Sequence, residues 1–230
     1  MHTAHIIALL ANTVISREGR KEMSEEKTTL NRILSSAKQE FIEKGFLNAS
    51  LRNIVRNAGV TTGAFYRYYD SKEALFSALV DEHANYVLNL FNNTVDEFEK
   101  LPGNAQTEKM LDTSGFYLAE LLDYIYDHYD AFKLLIQCAE GTFYSDFIHQ
   151  LVVREVESTY KYMQTLSDMG YQVEPLNKNL IHIIASGLFA GIFEAVVHDM
   201  PKDEAREYLS QFHRFYGAGW SELLNIKFGK

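Results

Sequence analysis

Residues 45–76 carry the sequence GFLNASLRNIVRNAGVTTGAFYRYYDSKEALF, which decides the fold of the N-terminal part of the chain. Apolar residues spaced i, i+3, i+4 and i+7 predict one face of a short helix: Leu51, Ile54, Val55 and Ala58. Gly59 can end that helix, because glycine readily takes the positive φ found after a helix C-terminus. Thr61 or Thr62 can cap a second short helix. This spacing predicts a helix-turn-helix, whose second helix enters the major groove of DNA.

A longer pattern extends this motif. Residues 48–75 fit N-A-S-L-R-x-I-x3-A-G-V-T-x-G-x-F-Y-x-Y-Y-x-S-K-E-x-L, and this pattern resembles the N-terminal domain of the TetR family of bacterial transcriptional regulators. The resemblance covers roughly residues 27–79 and has one mild departure, Tyr69, where the family more often has Phe. The remaining two thirds of the chain resemble the family only in helical character and in a vaguer ending pattern.

The resemblance implies an all-α fold in three segments. These are an N-terminal extension (1–26), a helix-turn-helix DNA-binding domain (27–71), and a linker helix with an effector-binding and dimerisation domain (72–230). The implied function is a ligand-responsive repressor that binds a palindromic double-stranded DNA operator as a homodimer and responds to a small-molecule effector. An effector bound in the C-terminal part would tilt the linker helix and move the two recognition helices off the operator spacing.

Nine residues match family positions at the DNA: Thr28, Ser50, Arg52, Thr62, Gly63, Ala64, Tyr66, Tyr68 and Lys72. Arg52 is expected at a base edge, because a guanidinium group suits guanine O6 and N7. Tyr66 and Lys72 match phosphate-contacting positions. Ser50 and Thr28 are expected to cap helices against phosphates.

Composition limits the class of protein. The chain has 230 residues, of which 47% are hydrophobic, enough for one substantial core or two modest ones. Its single cysteine, Cys138, excludes an intramolecular disulfide and suits a reducing cytosol. No stretch is expected to reach the roughly 18–20 apolar residues that span a bilayer. The apolar run 6–11 lacks the charged region of a signal peptide, so a cytoplasmic protein without membrane contact is expected.

The net charge of −9 hides an asymmetry along the chain. Residues 1–76 hold eleven Lys and Arg against eight Asp and Glu, whereas residues 77–230 hold eleven against twenty-three. A basic N-terminal part on an acidic body can hold DNA at one end while the body is repelled from it. This asymmetry agrees with the motif without establishing it.

Helical periodicity extends over nearly the whole chain. A first helix is predicted to end at Gly45, and Phe65 and Tyr69 are expected to be core aromatics. Later helices are predicted over about 71–100, 105–128, 130–139, 143–168, 177–199 and 201–225. Residues 1–22 fit this pattern poorly, and two alternatives stay open for them: an N-terminal arm, or an annotation artefact with the true start at Met23.

Aromatic residues are frequent in the C-terminal part, where helical spacing makes core packing the default interpretation. As a group, tyrosines beside an acidic residue also suit a pocket with an apolar wall and a few polar anchors. The family binds effectors in this region, and the candidate lining residues are Tyr117, Glu120, Tyr124, Tyr144 and Phe147. A mostly apolar effector is expected, and a cationic one if it contacts Glu120 and the tyrosine faces.

Small residues on the last two predicted helices permit close helix approach. In the family these helices form a four-helix dimer bundle with their symmetry mates. The candidate interface residues are Ala190, Gly191, Glu194, His198, Gly217 and Trp220. Glu194 and His198 lie one turn apart and form either a hydrogen-bonded pair at the interface, which is preferred, or half of a metal site.

The sequence contains no G-x-S-x-G, no H-E-x-x-H, no CxxC and no phosphate-binding glycine loop. No enzyme, cofactor or metal site is therefore predicted. Two alternatives to a regulator stay open. One is a small-molecule enzyme with an appended DNA-binding domain, and the other is a small-molecule-binding helical protein or adaptor whose helix-turn-helix is not used on DNA.

Overall fold

The computed structural model describes residues 26–229. The two alternatives given above for residues 1–22 concern residues outside this range. Of the predicted N-terminal extension, 1–26, only the last residue is described. Between 26 and 229 the chain is helical and contains no β-strand, which confirms the all-α prediction. The chain divides into two compact units, which meet in sequence between Leu79 and Val80.

Nine α-helices are found in the described residues, and most begin and end within three residues of the predicted bounds. They are α1 (26–48), α2 (Leu51–Asn57), α3 (Thr62–Phe65), α4 (Lys72–Glu99), α5 (Gly103–Asp127), α6 (Tyr129–Gln137), α7 (Phe147–Asp168), α8 (Lys178–Val197) and α9 (Lys202–Leu223). A 3₁₀ turn, Phe143–Asp146, precedes α7. The first helix continues past Gly45, which takes a φ of +68° within it.

The core of unit 1, the part of the chain up to Leu79, is built around aromatic rings. Phe41 of α1 lies 5.1 Å from Phe76 of α4 between ring centroids, and Phe46 lies 5.4 Å from Phe76. Phe65 of α3 is completely buried, so its prediction as a core residue is confirmed. Tyr69 is only half-buried beside Phe65, and burial raises the pKa of its hydroxyl.

Local caps fix the short helices of unit 1. Gly59 has a φ of +65°, as the turn between α2 and α3 requires. The Thr61 hydroxyl accepts a hydrogen bond from the Ala64 N–H at 3.1 Å, so Thr61 rather than Thr62 caps α3. The Ser71 hydroxyl accepts one from the Ala74 N–H at 3.0 Å, which confirms the predicted start of α4. The turn chemistry of residues 59–74 therefore follows the sequence pattern.

Helix α8 is central to unit 2, which begins at Val80, because it contacts α6, α7 and α9. The residues of its inner face are at most 2% exposed: Ile181, Ala185, Phe189, Ile192, Phe193 and Val196. Contrary to the sequence expectation, α8 is long and apolar enough to cross a membrane by length and composition, with a mean hydropathy of 2.0. This is weak evidence for a membrane span, since a core helix has the same composition.

Candidate DNA interface and effector cavity

A buried carboxylate holds the start of α2. Glu40 of α1 is only 6% exposed, and its Oε1 accepts hydrogen bonds from the Ser50 N–H at 3.0 Å and from Asn53 Nδ2 at 3.3 Å. The Ser50 hydroxyl accepts from the Asn53 N–H at 3.4 Å, as expected for a cap. A negative group at a helix N-terminus is favourable, so Glu40 fixes the direction in which α2 presents Arg52.

Most of the residues predicted at the DNA lie on the surface of unit 1. Arg52, Thr62 and Gly63 are exposed, Tyr66 is 52% exposed, and Ala64 and Tyr68 are half-buried. Thr28 is exposed in the first described turns of α1. The surface thus carries a guanidinium, a hydroxyl and a phenol close to the helix-turn-helix, groups that can donate to base edges and phosphates.

Two basic residues of this surface were not predicted. Arg56 lies in the last turn of α2 and Arg67 follows α3, and both are exposed. Residues 26–79 hold eight Lys and Arg against five Asp and Glu, so the described part of unit 1 has a net positive charge. Sequence reasoning could have found Arg67 from its place directly after Tyr66, a residue already assigned to phosphate.

Lys72 has a different environment from the predicted one. Its Nζ donates to the carbonyl oxygens of Phe46 at 2.7 Å, Ala49 at 3.2 Å and Leu47 at 3.4 Å, and lies 4.4 Å from the centroid of the Phe46 ring. The side chain is half-buried rather than extended into solvent. Lys72 therefore caps carbonyl groups at the end of α1, a structural role that the prediction of a phosphate contact did not include.

Unit 2 encloses a cavity of about 170 Å³. Its walls come from α4, α5, α7, α8 and α9, and most of the lining is apolar and aromatic, including Phe91, Phe98, Phe189 and Trp220. The polar groups that line it sit on α4, α5, α7 and α9: Thr94, Thr113, Ser114, Tyr117, Glu155, Ser158, Thr159, Tyr162, His213 and Tyr216. An apolar wall with a few polar groups is typical of a small-molecule site.

Of the five predicted effector residues, only Tyr117 lines this cavity. Glu120 is exposed and accepts a hydrogen bond from Tyr86 Oη at 3.1 Å. The Tyr124 ring stacks on the Tyr86 ring with a centroid distance of 3.7 Å. The Tyr124 hydroxyl lies 3.0 Å from His83 Nδ1. The pattern of aromatic and acidic residues predicted a pocket in this part of the chain, but it did not predict which side chains of α5 line the pocket.

The other two predicted effector residues serve the core and a surface contact of unit 2. Phe147 is buried against Phe193, with 5.8 Å between ring centroids. Tyr144 donates a hydrogen bond to Asp81 Oδ1 at 2.8 Å. Both side chains are therefore used within unit 2 away from the cavity lining.

Glu155 and Tyr117 give the cavity its distinctive chemistry. Glu155 keeps some exposed area because it borders the cavity, yet burial away from bulk solvent raises its pKa to about 7, against a smaller lowering by Arg154. Tyr117 is 7% exposed, and its hydroxyl has no hydrogen-bond partner among the described residues. Burial, and then the nearby Glu155 carboxyl, raise the pKa of Tyr117.

A neutral pair occupies another part of the lining. His213 Nε2 lies 2.8 Å from Ser114 Oγ, and burial lowers the pKa of His213. The pair ties α5 to α9 beside the cavity and adds no positive charge near neutral pH.

Three of the predicted interface residues contact their own chain. A Cβ on Gly191 would lie 2.3 Å from Cζ of Phe212, and a Cβ on Gly217 would lie 2.7 Å from Cδ2 of Leu111. Trp220 packs on a buried cluster and lines the cavity. The two glycines therefore let helices of one subunit approach, a packing role that the prediction of a dimer contact did not include.

The outer faces of α8 and α9 still carry apolar residues. Ile183 is 64% exposed and Phe215 is 72% exposed, and Ala190 is also exposed. His198 Nε2, at the C-cap of α8, lies 2.8 Å from Glu194 Oε2, and the two side chains are 64% and 44% exposed. Among the described residues no group of three or more His, Cys, Asp or Glu could hold a metal ion.

Comparison with known proteins identifies the N-terminal motif. Residues 33–79 match the profile of bacterial regulatory proteins of the tetR family. This part of the chain is therefore similar to regulators of the tetR family. A Haemophilus influenzae protein named as an uncharacterized HTH-type transcriptional regulator is 24% identical over 195 residues, which cover 82% of this chain and 86% of that protein. The resemblance of the N-terminal motif to that family is thereby confirmed.

Sequence identity is higher over the N-terminal motif than over the larger part of the chain that aligns with a solved structure. The Bacillus subtilis protein YdgC, named as an uncharacterized HTH-type transcriptional regulator, is 41% identical over 59 residues, which cover 26% of this chain and only 30% of YdgC. The crystal structure of SCO3833, a TetR-family member from Streptomyces coelicolor, is similar with a TM-score of 0.52 and 15% identity, covering 80% of this chain and 88% of that one. Its likeness shows the shared fold.

Proposed function

We propose that this protein is a ligand-responsive repressor of the TetR family that binds a palindromic operator as a homodimer in the cytoplasm. DNA binding is supported by a set of exposed side chains on unit 1, which has a net positive charge and contains the helix-turn-helix. Arg52, Thr62 and Tyr66 belong to this set. Arg52 is assigned to a base edge and Tyr66 to a phosphate. The proposed boundary between DNA-binding and effector domains remains 71/72, at the start of α4.

The dimer is proposed to form through the outer faces of α8 and α9. Exposed Ile183 and Phe215 provide apolar contacts that an isolated subunit would leave in water. Ala190 allows close approach beside them, and the Glu194–His198 pair would lie at the polar edge of the contact. A homodimer has two copies of unit 1, one for each half-site of a palindrome whose half-sites lie about 34–36 Å apart.

Ligand response is proposed to pass along α4. This one helix of 28 residues begins in unit 1 with Lys72 and lines the cavity of unit 2 with Phe91 and Phe98. A ligand that favours one position of these phenyl rings would favour one position of α4. Because dimer affinity depends on both half-sites, a small change in α4 would weaken operator binding.

Titration of DNA tests the proposal against its two alternatives. Full-length protein is mixed with a labelled fragment from upstream of its own gene and with a scrambled duplex, at 50, 100 and 200 mM salt. A regulator binds the upstream fragment more tightly, and both affinities fall as salt rises. An adaptor whose helix-turn-helix is not used on DNA, or an enzyme whose appended DNA-binding domain reads no operator, would show equal, weak binding to both duplexes.

A further inference from the structure

The cavity in unit 2 contains one acidic group and no fixed positive charge. Among the residues that line it, Glu155 carries the only carboxyl group, and the described lining includes no Lys or Arg. Arg154, the neighbour of Glu155, points to α4 instead, where its guanidinium contacts Asp96 at 2.6 Å and Glu99 at 2.9 Å. The Glu155 carboxylate is thus left without a cationic partner in the cavity.

A second, independent feature lies nearby. The Tyr117 hydroxyl is buried in the cavity wall and makes no hydrogen bond within the described residues. An unpaired buried hydroxyl destabilises the folded protein, so a ligand that supplies its hydrogen-bond partner gains affinity. Glu155 of α7 and Tyr117 of α5 line the same cavity. Among its polar lining groups, they supply the one carboxyl group and a hydroxyl that has no partner among the described residues, within walls that are mostly apolar and aromatic.

We propose that this cavity binds an apolar organic amine in its protonated form, with the ammonium group paired to Glu155 and hydrogen-bonded to Tyr117. The proposal rests on the ligand-responsive function proposed above and names the class of its effector. An ammonium group supplies the missing positive charge and N–H donors for both oxygens. The aromatic wall supplies area for the apolar body, and ring faces such as those of Phe91 and Trp220 are attractive to a cation.

The alternative ligand classes fit less well. A carboxylate would place a second negative charge beside Glu155 in a site of low polarity, where no lining Lys or Arg offsets it. A neutral alcohol could pair with Tyr117 but would leave the carboxylate unpaired. The assignment also moves the acidic anchor expected from sequence at Glu120 to Glu155, since Glu120 is exposed and bonded to Tyr86.

Binding should depend on pH through Glu155. The other titratable groups facing it are Tyr117 of α5, Tyr162 of α7, and His213 and Tyr216 of α9, while the α4 and α8 residues of the lining do not titrate. Burial raises the pKa of the three phenols and lowers that of His213. Each of these shifts favours the neutral form of its group, and Arg154 stays charged throughout. Glu155, with a pKa of about 7, is the group that changes.

Three probes of equal size and different charge test the proposal: 4-phenylbutylamine, 4-phenylbutan-1-ol and 4-phenylbutyrate. Calorimetric titration of the full chain without DNA, at pH 6.5 and 8, measures each affinity. The amine should bind at least tenfold more tightly than the other two at pH 8. It should weaken about fourfold at pH 6.5, because Glu155 is then mostly protonated. Equal or tighter binding of the alcohol or the carboxylate would overturn the proposal.

Variants assign the effect to the cavity. Glu155→Gln should remove both the preference for the amine and its pH dependence, whereas Tyr117→Phe should weaken amine binding and keep the pH dependence. Glu120→Gln is the matched control, an exposed acid on α5, and should bind the amine like wild type. If Glu155→Gln kept the preference for the amine, the site would lie elsewhere. If none of the probes bound to protein that still binds operator DNA, the amine assignment would fail and the DNA function would stand.

Discussion

Lys72 Nζ donates a 2.7 Å hydrogen bond to the carbonyl oxygen of Phe46, and so joins the start of α4 to the end of α1. Two further carbonyl oxygens, of Leu47 and Ala49, accept from the same ammonium group. Phe46 and Ala49 are buried, so their carbonyl groups have little access to water. A lysine at a family DNA position therefore also holds together the scaffold that presents the helix-turn-helix.

Replacing Lys72 should accordingly reduce stability. Lys72→Met keeps the alkyl chain but removes the ammonium group, and the free energy of unfolding should fall by about 1–3 kcal/mol, the usual effect of losing a charged hydrogen-bond donor to a buried acceptor. Urea unfolding followed by circular dichroism measures it, with the exposed Lys44→Met as control. Unchanged stability, together with a smaller salt slope for DNA binding, would instead restore the simple phosphate contact.

Phe65 should be essential to unit 1. Its ring is completely buried, so Phe65→Ala leaves a cavity and should lower the free energy of unfolding by about 3–5 kcal/mol. The neighbouring Tyr66→Ala is the control, because its ring is 52% exposed and its loss should change stability by less than about 0.5 kcal/mol. Equal losses from the two variants would contradict the packing of α3 described above.

The dimer contact can be tested separately from subunit stability. Ile183→Asp and Phe215→Asp place charge on the outer faces of α8 and α9 and should shift the protein toward monomer in sedimentation velocity at micromolar concentration. Phe143→Asp is the control, an aromatic residue that is 84% exposed in the 3₁₀ turn, and should leave the assembly unchanged. A wild-type monomer at these concentrations would remove the basis for palindromic binding.

Gly191 was predicted at the dimer interface, but in the structure it packs against Phe212 of its own chain. Gly191→Leu should destabilise each subunit, since even a Cβ would lie 2.3 Å from the Phe212 ring. The variant should unfold at a lower urea concentration than wild type under conditions where both are monomeric. A variant of normal subunit stability that fails to dimerise would show that Gly191 faces the partner after all.

Glu155 should give stability a pH dependence of a stated sign. Its pKa is raised by burial from 4.5 to about 7, so between these values the folded protein holds a proton that the unfolded chain has lost. The resulting stabilisation is complete below about pH 4.5 and is lost as pH rises through 7. The wild-type unfolding free energy should therefore fall relative to Glu155→Gln between pH 5 and 8. Parallel profiles would mean that Glu155 is better solvated than its position indicates.

The sequence predicted what local chemistry controls. Gly59, Thr61 and Ser71 act on backbone groups within a few residues of themselves, so the turn between α2 and α3 and the start of α4 followed from spacing, whereas the end of α1, predicted at Gly45, did not. Lys72 is different, because its acceptors lie more than 20 residues away in sequence. Helical periodicity likewise predicted a helix over about 143–168. It could not show that Glu155 on this helix lines a cavity whose other walls come from four other helices. Long-range contacts of single polar side chains were the part that could not be predicted.

The most direct test of the account is the pair of affinities of Arg52→Ala for operator and for scrambled DNA. The side chain is exposed at the start of α2 and is assigned to a base edge. The variant should lose on the order of 1–3 kcal/mol on the operator, keep its affinity for scrambled DNA, and relax preference at one base pair per half-site. An equal loss on both duplexes would make Arg52 a backbone contact. No loss on either would contradict the proposal that this helix-turn-helix binds DNA through Arg52.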